Sequence, residues 1–184
     1  MTLPNFITLA RLVSVPLIVW LIVIQNWTGA TVVFVLAGIS DGIDGLIAKR
    51  FGASSDLGAY LDPIADKALL VSLFLVLGFQ AVLPPWLIIL VVSRDILIVG
   101  GVILAWMLVN PIAMRPLWVS KFNTTAQIVL LALVLAEHAG IKSLSIAIWP
   151  MIITTAGLTV GSAGAYLAEW LRHMAGDEPR REEG

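Results

Sequence analysis

Four aspartates, Asp41, Asp44, Asp62 and Asp66, fall within 26 residues of chain, in stretches that are otherwise strongly apolar. If those stretches are helical, Asp41 and Asp44 stand at i,i+3 and share a face, with Gly45 and Ala48 on or beside it. Gly58, Asp62 and Asp66 step by four and share a face of the following helix. A short connection between the two helices lets these faces meet near one end, and the glycines permit close approach of backbone or ligand. Pro63 is expected to start or kink the third helix beside the carboxylates. Carboxylates with no nearby His and no Cys suit hard, oxygen-loving cations such as Mg²⁺, Mn²⁺ or Ca²⁺. Four negative charges balance two divalent ions, a pair that can clamp a diphosphate and stabilise charge in phosphoryl transfer. Spacing alone leaves two further readings open. The aspartates could form membrane ion pairs with Lys49, Arg50, Lys67 and Arg94, or they could carry protons or ions through a transporter.

The elements that must position these residues follow from composition. The chain has 184 residues, of which 59% are hydrophobic and 12% charged, against about 45–50% and about 25% in soluble domains. The mean hydropathy is +0.98. Six apolar stretches are legible: about 6–24, 31–48, 58–79, 86–109, 119–136 and 146–170, each close to the roughly 20 residues that cross a bilayer. The expected fold is all-α, a polytopic membrane protein with six transmembrane helices. It has one membrane domain over 1–172 and a polar, disordered tail over 173–184. A net charge of −1 offers no field for nucleic acid, and the absence of Cys excludes disulfides and thiolate metal sites.

The basic residues are sorted. Lys49, Arg50, Arg115, Lys121, Arg172, Arg180 and Arg181 all fall near one set of helix ends, whereas the opposite connections hold only Lys142. The positive-inside rule then places both termini in the cytoplasm. No positive charge precedes the first apolar run, so it reads as a retained helix rather than a signal peptide. Trp20, Trp27, Trp86, Trp118, Trp149 and Trp170 lie near span ends, as an interfacial belt does. Arg11, with Thr8, reads as a helix start and snorkel. Glu137 and His138 read as solvated loop residues, and Gly157, Gly161, Gly164 and Ala165 as a helix-packing face.

The run Asp41-x-x-Asp44-Gly45-x-x-Ala48-Lys49, then eight residues, then Gly58-x-x-x-Asp62-x-x-x-Asp66 resembles the signature of the CDP-alcohol phosphotransferases (CDP-alcohol phosphatidyltransferases), D-x2-D-G-x2-A-R-x8-G-x3-D-x3-D. Seven of eight fixed positions match. Lys49 stands where the family has Arg, keeping the charge but losing the bidentate fork. The resemblance implies six transmembrane helices, a homodimer, and a site open to the cytoplasmic leaflet. The lack of extramembrane domains and of a presequence points to a bacterial cytoplasmic membrane, with a mitochondrial inner membrane after removal of a presequence as the alternative. The resemblance also implies transfer of a substituted phosphate from a CDP-linked donor to an alcohol, with release of CMP. By the same likeness, Asp41, Asp44, Asp62 and Asp66 hold two Mg²⁺ or Mn²⁺ ions. Asp66 is also the general base, and Thr8, Gly45, Ala48, Lys49 and Gly58 bind the CDP moiety.

Other segments resemble particular branches. Asn5-x-x-Thr8-x-x-Arg11 and 61–67 are similar to the phosphatidylglycerol-type branches. Ser93-Arg94-Asp95 and 118–124 are similar to the branch that joins CDP-diacylglycerol to phosphatidylglycerol, forming cardiolipin. The branch that uses glycerol 3-phosphate tends to show Arg-Glu and G-K-x-K-T at these places, and a small dianionic acceptor does want the extra cation. The implied acceptor-binding residues are Arg94, Arg115, Lys121 and Asn123. Arg94 could instead be an ion-pair partner of Asp95, Lys121 a snorkelling cation and Arg115 a plain topology charge.

Overall fold

A computed structural model of the chain describes the backbone over residues 3–51, 56–107 and 118–174, and side chains over 10–40, 66–98, 100, 118–168 and 171. Among the described residues the structure is all-helical: α1 (Leu3–Val23), α2 (Trp27–Phe51), α3 (Asp56–Phe79), α4 (Pro85–Met107), α5 (Trp118–His138) and α6 (Ser145–Met174). A single 3-10 turn, Lys142–Leu144, leads into α6. Each apolar stretch of the sequence falls on one helix, up to the described end of α4 at Met107. The third helix begins at Asp56, ahead of Pro63, so Pro63 does not start it.

Three short connections share one device. After α1, Gln25 N–H donates to the Ile22 carbonyl and Asn26 N–H to the Leu21 carbonyl. The same double bond pattern follows α3 at Ala81 and Val82, and α5 at Gly140 and Ile141. Each satisfies last-turn carbonyls and needs one residue at positive φ. That residue is Gln25, Ala81 or Gly140, at φ 61°, 56° and 114°. Only the third is a glycine. The left-handed conformation costs an L-residue about 1–2 kcal/mol, and Gly gains about 0.4–1 kcal/mol of unfolded-state freedom against that. Ala81→Gly is therefore expected to stabilise the protein by about 0.5–1 kcal/mol. A higher thermal unfolding midpoint in detergent checks it, and a lower midpoint contradicts it.

The core is formed by Ile18 and Ile22 of α1, Leu73, Phe74 and Leu77 of α3, Leu87 and Val91 of α4, and Leu130, Leu131 and Leu135 of α5, all fully buried. α1 packs on α2 and α3, and α6 on α4 and α5. Large apolar side chains also cover the outside, including Trp20, Phe79, Ile89, Ile146 and Trp149. An outward apolar surface on this scale marks contact with lipid or a partner. Two described segments, Trp118–His138 and Lys142–Ala168, are long and apolar enough to cross a membrane. The described apolar parts of α1 and α2, Ala10–Val23 and Trp27–Ser40, are shorter.

Two expectations change here. Glu137 and His138 are not loop residues: they close α5, half-buried, with Glu137 2.9 Å from His138 and 3.3 Å from Lys142. The His138 ring lies 4.6 Å from that of Trp27 and ties the start of α2 to the end of α5. Gly157, Gly161 and Gly164 do not pack within the chain, because a Cβ built on any of them meets nothing within 4 Å. The inward face of α6 is instead Thr155, Thr159 and Ser162, all fully buried.

Candidate active site

The backbone carries Asp41, Asp44, Gly45, Ala48 and Lys49 on the second half of α2, and Gly58, Asp62 and Asp66 on the first turns of α3. Both runs are helical, so the i,i+3 and i,i+4 steps place the acids of each run along one side of its helix. The side chains of Thr8, Asp41, Asp44, Gly45, Ala48, Lys49, Gly58 and Asp62 lie outside the described ones, and Arg115 lies outside the described residues altogether. Asp66 is therefore the described carboxylate of the set. Among the described residues no cluster of three ligating side chains occurs.

Asp66 Oδ1 accepts a hydrogen bond from Arg11 Nη1 of α1 at 2.7 Å. The pair is asymmetric: the Arg11 side chain is 2% exposed and that of Asp66 46%. Arg11 also lines a cleft of about 180 Å³ between α1 and α2, with Ala10, Ser14, Val33, Leu36, Ala37 and Ser40. Ser40, at the end of this lining, immediately precedes Asp41 in the chain.

The next residue of α3 makes a second ion pair. Lys67 Nζ lies 2.7 Å from Asp95 Oδ1 of α4, and Arg94 Nη1 lies 2.6 Å from the same oxygen. Arg94 Nη2 donates to Ser120 Oγ of α5 at 2.6 Å and to Ser162 Oγ of α6 at 2.7 Å. Its guanidinium lies 5.8 Å from the centre of the Tyr166 ring. Arg94 is only 4% exposed. Its donors are thus committed within the fold, and one carboxylate with two hydroxyls solvates it in place of water. This knot ties α3, α4, α5 and α6 together one residue beyond Asp66.

The other implied acceptor residues take different positions. Lys121 is exposed at the start of α5, its ammonium 5.1 Å from the Trp118 ring. Asn123 is fully buried, with Thr159 Oγ1 donating to its Oδ1 at 2.8 Å. Among the described residues, Asn123 Nδ2 and Gln127 Nε2, one helical turn apart, are buried without a hydrogen-bond partner.

Sequence reasoning missed Arg11 as the neighbour of Asp66, and it missed the α6 contribution entirely. The α6 signal was present: Thr155, Thr159 and Ser162 recur at i, i+4 and i+7 in an apolar helix, which marks a polar inner stripe. The Arg11 contact spans 55 positions of sequence and carries no local signal.

The donor chemistry of the site fits a hard divalent cation, since the signature set is all carboxylate and its described member is half-exposed beside a fixed counter-charge.

A family model described as CDP-alcohol phosphatidyltransferase matches residues 1–161. A protein of Oryza sativa subsp. japonica named CDP-diacylglycerol–glycerol-3-phosphate 3-phosphatidyltransferase 1, chloroplastic, is 34% identical over 183 residues, covering 88% of this chain and 56% of that protein. The cardiolipin synthase (CMP-forming) of Homo sapiens is 30% identical over 181 residues, 90% of this chain and 60% of that protein. The protein of the same name from Streptomyces coelicolor is 36% identical over 111 residues, 56% of this chain and 52% of its own. The chain thus spans less than two thirds of the length of each of these relatives.

Proposed function

This chain belongs to the CDP-alcohol phosphatidyltransferase family, and from that premise we propose that it is a CDP-diacylglycerol-dependent phosphatidyltransferase that forms cardiolipin. The acceptor is phosphatidylglycerol. Its free hydroxyl bonds to the phosphatidyl phosphorus of CDP-diacylglycerol, and the diphosphate P–O bond breaks with its electron pair leaving on CMP. Asp66 takes the hydroxyl proton. Asp41, Asp44, Asp62 and Asp66 would hold two divalent cations, Mg²⁺ or Mn²⁺, whose positive charge would offset that of the diphosphate. Thr8, Gly45, Ala48, Lys49 and Gly58 would receive the CDP moiety. Arg94, Arg115, Lys121 and Asn123 would shape the acceptor side.

One observation carries the choice of acceptor. The two segments that distinguish the branches, 93–95 on α4 and 120–124 on α5, meet through the Arg94–Ser120 bond next to Asp95 and Lys67. There, Asn123 is neutral and fully buried where the glycerol 3-phosphate branch tends to show Lys, so the acceptor side carries one cation fewer. That balance suits a monoanionic phosphodiester better than a dianionic phosphate. The rice relative is the specific observation for a second reading, in which the acceptor is glycerol 3-phosphate.

The remaining parts of the proposal are six spans with both termini in the cytoplasm of a bacterium, supported by the sorted Lys and Arg residues, and a homodimer. The outward small-residue face of α6 is where close helix approach is sterically open.

The test supplies the purified protein with CDP-diacylglycerol, Mg²⁺ or Mn²⁺, and one acceptor at a time. CMP and cardiolipin should appear with phosphatidylglycerol. Product with glycerol 3-phosphate alone replaces the first reading with the second. Cation- or proton-coupled flux without CMP release would return the chain to the transporter class.

A further inference from the structure

We propose that Arg11 is a positioning residue for Asp66, an inference that rests on the reading of Asp66 as the base that takes the acceptor proton. Two features of the geometry carry it. Arg11 donates to Asp66 Oδ1 at 2.7 Å while its own side chain is 2% exposed, against 46% for Asp66. A guanidinium hidden behind a half-exposed carboxylate acts on a reactant through that carboxylate. The second feature is the turn of α3 on which Asp66 sits. Asp66 is tied to α1 through Arg11, and the adjoining Lys67 is tied to Asp95 of α4 at 2.7 Å. Successive residues thus hold one turn of α3 from two neighbouring helices, which fixes its rotation and the heading of the Asp66 side chain.

The physical consequence is selection of one carboxylate orientation. An aspartate on a helix has two main χ1 wells. A charge-assisted bond from a planar, buried donor holds it in one of them. Loss of that bond loosens the hold on this orientation, and a base displaced by about 1 Å from its productive position can lose on the order of 100-fold in rate. Arg11 also lines the cleft between α1 and α2 whose lining ends at Ser40. Positioning of the base and lining of the cleft on its α1 side are therefore served by the same residue.

The experiment compares wild type, Arg11→Met and Arg11→Lys in detergent or nanodiscs, with CDP-diacylglycerol and the acceptor that wild type uses. Arg11→Met should lower kcat by about 30- to 100-fold per folded molecule, with KM for both substrates within threefold of wild type. Arg11→Lys keeps the charge and loses the fork, so it should recover most of that loss and stay about three- to tenfold below wild type. A readout independent of turnover accompanies this: the melting-point losses of Arg11→Met and Asp66→Asn should combine to less than their sum, as residues in contact do. A purely structural ion pair would lower the melting point and the folded yield but leave kcat per folded molecule unchanged. Unchanged kcat in Arg11→Met, a defect confined to KM, or additive melting-point losses each overturn the proposal. If Arg11→Met does not fold, Arg11→Lys decides alone, and wild-type kcat there overturns the proposal. Wild-type protein that releases no CMP with either acceptor counts against the function instead, so the two failures remain distinct.

Discussion

Asp41→Asn and Asp66→Asn are each expected to lower CMP release per folded molecule by on the order of 10³-fold or more, while the chain still reaches the membrane. For Asp66 the size follows from removing a general base, a contribution of about 10²–10⁴-fold, together with one of the four proposed cation ligands. For Asp41 it follows from losing a ligand charge where a diphosphate must be neutralised. The amide substitution keeps the shape of the side chain. At Asp41 it also removes a charge that costs about 2.5–3.5 kcal/mol at mid-span, which should ease membrane insertion; at Asp66 it weakens the hold on the buried Arg11 guanidinium, so a lower melting point is expected there and turnover is read per folded molecule. Loss of activity then reports chemistry and not assembly. At Asp66 the amide carbonyl can still accept a weaker bond from Arg11, but the ion pair and the base are both lost. CMP release under saturating CDP-diacylglycerol is the measurement. Full turnover in either variant would sink the reading of these four acids as the reaction centre.

The difference between what was legible in the sequence and what was not is one of range. The helices were legible because apolar runs of spanning length are local, and Pro85 at the first turn of α4 marks its start as proline does. The signature acids were legible because their i,i+3 and i,i+4 steps are local too. The ends of α1 and α3 were legible to within a residue, but the left-handed residues that close them, Gln25 and Ala81, were not, since neither is the glycine that such a position normally announces. Contacts between helices were illegible for a different reason. A helix of nearly uniform apolarity barely declares its rotation: in α6 the one cue to the inward face was the stripe of Thr155, Thr159 and Ser162, and the more conspicuous glycines, which face outward, drew the reading instead. Arg94 had several candidate acceptors in the sequence. It takes Asp95, Ser120 and Ser162 together because α4, α5 and α6 converge there, which no one of those segments encodes.

Asp95→Asn is expected to cause the larger stability loss of the two changes that break this knot, although Asp95 is one of the smaller side chains in it. Asp95 carries the carboxylate that both Arg94 and Lys67 contact. Removing one partner of a buried pair typically costs about 3–5 kcal/mol, because the other charge is left uncompensated. Arg94, at 4% exposure, is such a charge. Ser120 and Ser162 continue to solvate it, which puts the expected loss near the lower bound, about 3 kcal/mol. That is a fall of about 6–12 °C in the unfolding midpoint for a chain of this size. Lys67→Met should cost far less, about 1 kcal/mol at most, since Lys67 is 41% exposed and water replaces its partner. The double change Arg94→Met with Asp95→Leu should recover much of the loss, because two apolar side chains leave no charge stranded among apolar helices. Unfolding midpoints of the three proteins in one detergent decide the matter. If Asp95→Asn unfolds within a degree or two of wild type, the charge on Arg94 is compensated elsewhere. If the double change is worse than the single, packing of these side chains outweighs their charge. The expected order, with the double change above Asp95→Asn, assigns the knot an electrostatic role: it holds α4 against α5 and α6 one residue along α3 from Asp66.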